Sequence, residues 1–187
     1  VNTKDHAHET FKLPAYMQKL IDQGNLGNKS GKGLYQRKKN ADGSREKLVY
    51  DIGRGDYGPL PAVSIPFKKE MQNAIRDSRY PQAMDILKSA TGFEADLLRY
   101  FIARYISYSL SLIPEVTDQN GVDGAMGFGF SWLPASAWVD YLGGIEEARR
   151  FIEKAGLPVP AYLASAKGSP FYQLRARLDP RQLFRAG

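Results

Sequence analysis

Apolar positions recur every three or four residues through most of the chain, and the pattern predicts a body built of helices. Leu13, Met17, Leu20 and Ile21 share one face of a short helix that Pro14 starts and Gly24 stops. Phe67, Met71, Ala74 and Ile75 make a second face, and Pro81 opens a third helix carrying Met84, Leu87 and Ala90. Residues 93–113 then hold Leu97, Leu98, Phe101, Ile102, Tyr105, Ile106, Leu110 and Leu112, which wrap much of the circumference. That distribution predicts a central, buried helix ended by Pro114. A short helix is expected over residues 117–126, with Thr117 and Asp118 as N-cap candidates, and a sharp bend at Gly127-Phe-Gly129-Phe130. Two compact helices follow, residues 134–142 with Trp138 and residues 146–155 with Phe151 and Ile152 turned inward.

Between the first helix and this body the period breaks. Residues 25–33 hold three glycines among polar residues and predict a loop, and residues 47–50 read as extended after the polar turn Asn40-Ala-Asp-Gly43. Gly53-Arg-Gly55-Asp-Tyr-Gly58 spells the dinucleotide fingerprint G-x-G-x-x-G. That motif needs its glycines to open a helix inside a strand-turn-helix unit, whereas Pro59 and Pro61 follow at once, so these residues are read as an inter-module linker. Nor does Gly27-Asn-Lys-Ser-Gly-Lys-Gly33 have the spacing of a P-loop.

A partial repeat organises the whole. Leu13-Pro-Ala-Tyr-Met17 leads into a Gly/Lys/Ser loop and Leu34-Tyr35, and Val159-Pro-Ala-Tyr-Leu163 leads into a shorter loop and Phe171-Tyr172. Two related units in series are expected, the first represented only by its end. The division is residues 1–58, a remnant plus linker, and residues 59–187, a second helical domain.

Composition narrows the classes. The chain is 43% hydrophobic and 12% aromatic, ample for a packed core. Cysteine is absent, which removes disulfides, thiolate metal sites and cysteine nucleophiles and fits a cytoplasmic protein. Arg99, Arg104 and several serines interrupt the longest apolar run, so no membrane span is expected. His6 and His8 lack further ligands for a metal and read as part of a solvated end. The net charge of +6 attracts phosphate-bearing partners without choosing among them. A non-enzymatic basic module for nucleic acid is therefore the alternative reading, although the tail around Arg175, Arg177, Arg181 and Arg185 has few interleaved aromatics and reads better as an exposed helix.

Gly24-x-Leu26-Gly27-x-Lys29-Ser30-Gly31-Lys32-Gly33-Leu34-Tyr35 resembles the closing signature of the C-terminal domain of 3-hydroxyacyl-CoA dehydrogenases. Phe101-Ile-Ala-Arg-Tyr105, Asp123-Gly-Ala-Met126, Gly127-Phe-Gly129-Phe130 and Trp138-x-Asp140-Tyr-Leu-Gly143 are similar to that family's long helix, its D-x-A-M run and its D-x-x-G helix end. The resemblance implies an all-α fold like the C-terminal helical domain of 6-phosphogluconate dehydrogenase, with a truncated first copy. It implies a parent enzyme of fatty-acid β-oxidation that passes hydride from a 3-hydroxyacyl-CoA to NAD. In that family NAD and the proton-abstracting His-Glu pair belong to an N-terminal domain, so this portion is expected to carry no catalytic, cofactor-binding or metal residue and to be inactive alone. Its expected partners are acyl-CoA in the parent, a second helical module (in a homodimer or within one chain) and a downstream enoyl-CoA hydratase domain. For Lys29, Ser30 and Lys32 the substrate-binding reading is contact with anionic phosphate, set against a solvated turn whose glycines answer to backbone shape. Phe128, Phe130, Trp132 and Trp138 are read as core or interface in preference to an acyl pocket.

Overall fold

A computed structural model describes residues 4–167 and 171–172. The arginine-rich tail of residues 173–187 lies outside the described residues. The chain divides into two compact units, Val1–Ser64 and Ile65–Gly187.

The first unit combines one helix, α1 (Ala15–Asp22), with a three-stranded antiparallel meander, β1 (Tyr35–Lys39), β2 (Arg45–Asp51) and β3 (Asp56–Pro59), in the order β1-β2-β3. Pro14 is extended immediately before α1, with φ −60° and ψ 148°. Asn40 N–H donates to Ser44 O at 2.9 Å and Asp42 accepts from Ser44 N–H at 2.8 Å, which closes the β1–β2 turn and pairs Tyr35 with Val49.

Residues 53–58, expected as linker, instead turn back and supply β3. Asp51 explains this: its carboxylate accepts from Arg54 N–H at 2.9 Å and Arg54 Nε at 2.8 Å, and its carbonyl accepts from Gly55 N–H at 2.8 Å. Gly55 takes φ +70°, so the glycines shape a hairpin and not the mouth of a helix. The chain is accordingly mostly helical with a small sheet, and the sheet was only partly legible in the residue pattern.

The second unit is helical: α2 (Lys68–Arg76), α3 (Tyr80–Ser89), α4 (Phe93–Ser111), α5 (Gln119–Gly124), α6 (Ala135–Leu142), α7 (Ile145–Lys154) and α8 (Ala161–Ser165). The inner side of α4, with Ala95, Ile102, Ala103, Ile106 and Leu110, is sealed by Leu87 of α3, Val139 and Leu142 of α6, Ala148 and Ile152 of α7 and Leu163 of α8. Ala103, Ala137 and Ala148, all fully buried, are small enough to let these helices approach closely. Asp118 is the cap of α5, accepting from Gly121 N–H at 2.8 Å. Gly143 and Gly144, at φ +110° and +103°, make the tight reversal between α6 and α7.

Two expectations need correction. The helix over residues 93–113 is central but not buried all round: Phe93 is 74% exposed, Leu97 55% and Phe101 54%. Positions 93, 97, 100 and 101 form one continuous stripe, so the second apolar face signals an uncovered surface. At residues 125–129 the chain does not bend but widens into a π-helical turn that continues α5, and the reversal falls at Ser131, with φ +53°.

The two faces of α4 should respond differently to truncation. Ile106→Ala is expected to destabilise the chain by about 2–4 kcal/mol, and Leu97→Ala by less than ~1 kcal/mol. Urea unfolding of the two variants checks the assignment of faces.

Candidate functional site

Two residues quoted for the resemblance, Asp123 and Asp140, converge in the second unit with the Phe171-Tyr172 pair of the partial repeat. Asp123, on α5, is almost completely buried, and its Oδ1 accepts from Ser136 N–H at 3.2 Å, at the start of α6. The Tyr172 hydroxyl donates to Asp123 Oδ2 at 2.6 Å. Asp140, on α6, takes the backbone of the same segment: Phe171 N–H donates to Oδ1 at 2.7 Å and Tyr172 N–H to Oδ2 at 2.8 Å. All four carboxylate oxygens therefore have a donor, and the Phe171-Tyr172 pair is fastened to α5 and α6 at once. Tyr162 of α8 stacks on Phe171, centroids 6.0 Å apart, and gives its own hydroxyl to Gln119 at 2.7 Å.

Electrostatics follow from this packing. Burial lifts the Asp140 carboxyl above its ordinary value, the Tyr172 and Phe171 N–H groups pull it back, and the Asp123 charge lifts it further. The folded state thus holds that proton more tightly than the unfolded one, so this group's contribution to stability falls as pH rises through the window just above 3.8. Burial likewise raises the Tyr172 and Tyr105 hydroxyls, with Asp123 adding to both, so each stays a neutral donor. With a donor from the unit itself on every oxygen, the two carboxylates act as structural anchors.

A second feature lies on the outer side of this unit. Phe128 and Phe130, from the π-helical turn, are 71% and 65% exposed, and Trp132 is about half exposed. Trp132 sits 6.2 Å from Phe101, 5.7 Å from Tyr105 and 6.1 Å from Phe130, ring centre to ring centre. Tyr105 is held by donating to Leu133 O at 2.8 Å. The Phe101, Tyr105 and Trp132 rings, with Ile102, Leu133 and Trp138, border an apolar cavity of about 230 Å³ that adjoins the bare stripe of α4 at Phe101. The expectation of core or interface thus divides: Trp138 is half-buried against the core, whereas Phe128 and Phe130 belong to the surface.

In the first unit, the loop of Lys29, Ser30 and Lys32 is shaped by its glycines. A Cβ on Gly33 would lie 2.7 Å from Gly27 Cα and 2.8 Å from Gly27 N, both backbone atoms, so only glycine fits there. Ser30 is used within the loop: its hydroxyl accepts from Leu26 N–H at 2.8 Å and lies 3.1 and 3.0 Å from the Gly27 and Lys32 carbonyls, to one of which it donates. Lys32 sits 5.8 Å above the Tyr57 ring, whose hydroxyl donates to Gly33 O at 2.6 Å, and Lys29 is exposed. His6 and His8 lie 3.8 and 3.9 Å from the carboxylates of Asp5 and Glu9. Among the described residues no group of three histidines, cysteines and carboxylates could hold a metal ion. Likewise, none of the described helices is long and apolar enough to cross a membrane.

A comparison with known proteins gives this geometry a context. Over 160 residues, 83% of the chain, the protein is 24% identical to a probable 3-hydroxyacyl-CoA dehydrogenase of Bacillus subtilis (strain 168). The chain spans about a fifth of that relative, 19% of its length. No family model matches the chain, and no solved structure matches it.

Sequence reasoning quoted Asp123, Asp140 and Tyr172 without seeing that they meet. The available signal was a lone carboxylate inside the apolar run Ala135–Leu142, which burial permits only with donors supplied from elsewhere. Tyr172→Phe, which strands Asp123 Oδ2, is expected to cost about 1–3 kcal/mol of stability, read as a lower urea midpoint at unchanged slope. Gly33→Ala should disorder the first loop and leave the second unit's unfolding transition unmoved, as followed by Trp132 and Trp138 fluorescence.

Proposed function

We propose that this chain is the C-terminal helical portion of an NAD-dependent L-3-hydroxyacyl-CoA dehydrogenase of fatty-acid β-oxidation. The observation that carries the reading is that Asp123 and Asp140, both within runs that bear the resemblance, hold the Phe171-Tyr172 pair of the partial repeat and so close the helical body. The likeness to the Bacillus subtilis relative supports the same parent. In this reading the first unit is the end of one helical module and the second unit is another, with the division near residue 59. NAD and the proton-abstracting pair belong to a domain outside this chain, which is inactive by itself. Lys29 and Lys32 stand where an anionic phosphate of coenzyme A is received, Ser30 holding the loop in shape. The bare stripe of α4 with Phe128, Phe130 and Trp132 packs against a second helical module, from the same chain or a twofold mate. An exposed contiguous apolar face of this kind marks an interaction surface.

The charge-based alternative, a nucleic-acid module, has less support. Arg76, Arg79, Arg99, Arg149 and Arg150 each already face a carboxylate one turn or less away, which leaves less of the basic excess for a phosphate backbone.

The test is to assay NADH-dependent reduction of acetoacetyl-CoA by the full product of the gene that contains this sequence, beside the 187-residue chain. Turnover by the former and none by the latter is expected; a full product that leaves NADH unoxidised removes the reading. The pairing surface has its own check in sedimentation velocity. Phe101→Glu and Phe130→Glu, which place charge in the apolar face, should weaken association of a twofold assembly at least about tenfold.

A further inference from the structure

A second cavity in the helical unit, of about 510 Å³, is lined by neither the Asp123 nor the Asp140 anchor and meets the bare stripe of α4 only at Tyr100. It is bordered by the end of α3, the first half of α4 and the outer side of α7. Four cations line it, Lys88, Arg99, Arg150 and Lys154, against two carboxylates, Asp96 and Glu147. Its volume lies within the range of small-molecule sites, about 300–1,000 Å³.

The charges are not balanced within it. Asp96 is taken by Arg99 at 2.5 Å and Glu147 by Arg150, each pair within one helix. Arg99 and Lys88 are held firmly in the wall by carbonyls: Arg99 Nη1 donates to Leu87 O and Ala90 O at 2.7 Å, and Lys88 Nζ to Leu142 O at 2.6 Å. A carbonyl orients an ammonium but does not cancel its charge, and Lys88 has its ion pair, at 3.5 Å, with Asp85, a largely exposed carboxylate outside the cavity lining. Lys154 makes no ion pair among the described residues.

Glu147 reports the resulting field. Its carboxyl is held below the ordinary value first by Arg150, with Lys88 and Lys154 contributing. Tyr100 adds a half-exposed ring at the rim and Phe151 a buried apolar wall.

We infer that this cavity binds a small anion bearing phosphates, with Lys88, Arg150 and Lys154 facing the phosphates and the Tyr100 ring beside whatever they carry. Two sources share that chemistry, free polyphosphate and a nucleotide, and Tyr100 separates them. The inference does not rest on the parent's redox activity.

The experiment is calorimetric titration of the 187-residue chain at low ionic strength with inorganic pyrophosphate, ADP and adenosine. Binding of pyrophosphate or ADP at about millimolar or tighter is expected, weakening as salt rises. Lys154→Ala should weaken it about fivefold, the effect of losing one partly solvated charge contact. Glu147→Gln should tighten it, since it removes the competing carboxylate, and damage to the fold would move affinity the other way. ADP tighter than pyrophosphate, with the difference lost in Tyr100→Leu, identifies a nucleotide; equal affinities identify polyphosphate. Absence of binding by both, adenosine binding as well as ADP, or affinity unmoved in Lys154→Ala and Glu147→Gln would overturn the inference.

Discussion

Two carboxylates inside a helical core set the terms for the second unit. Asp123 leaves water on folding and Asp140 does so in part, a step that costs up to several kcal/mol for a buried charge unless donors replace the solvent. The donors come from far along the chain, two backbone N–H groups and the Tyr172 hydroxyl, together with the N–H at the start of α6. Helix packing alone would leave these oxygens stranded, so the unit is complete only when the segment after α8 has returned to them. This gives a physical meaning to the aromatic pair after α8: Tyr172 reaches Asp123, and Phe171 stacks on Tyr162 while its N–H meets Asp140.

The same closure makes α4 a two-sided element. Its inner residues are sealed by α3, α6, α7 and α8, and the fastened segment lies over α5 and α6. Phe93, Leu97 and Phe101 stay more than half exposed, with Trp132 beside Phe101, and Phe128 and Phe130 are further exposed rings of this unit. An apolar face that folding leaves in water is a cost in the isolated module and a gain on assembly, which links its energetics to the pairing role proposed for it.

Much of this was legible because helices announce themselves by period and by their ends. Pro14, Pro134 and Pro160 each stand immediately before a helix with nearly the same backbone, and glycine follows α1 and α6. What the pattern missed depended on contacts between distant residues. The β2–β3 turn rests on one aspartate caging Arg54, and its glycines resembled a different motif. The all-round apolar character of α4 had two explanations, burial or an uncovered face, and periodicity does not separate them. The pairing of Asp123 with Tyr172 spans 49 residues. The cationic cavity is assembled from three helices whose charges, read one helix at a time, look like ordinary intrahelical pairs.

Amide hydrogen exchange at Phe171 and Tyr172 in the native 187-residue chain tests the closure most directly. If the two aspartates hold this segment, both amides should open only with the unit as a whole and show protection equal to that of Val139 and Leu142 in α6. Exchange of both amides at the rate of a solvated peptide, while α6 stays protected, would contradict the account.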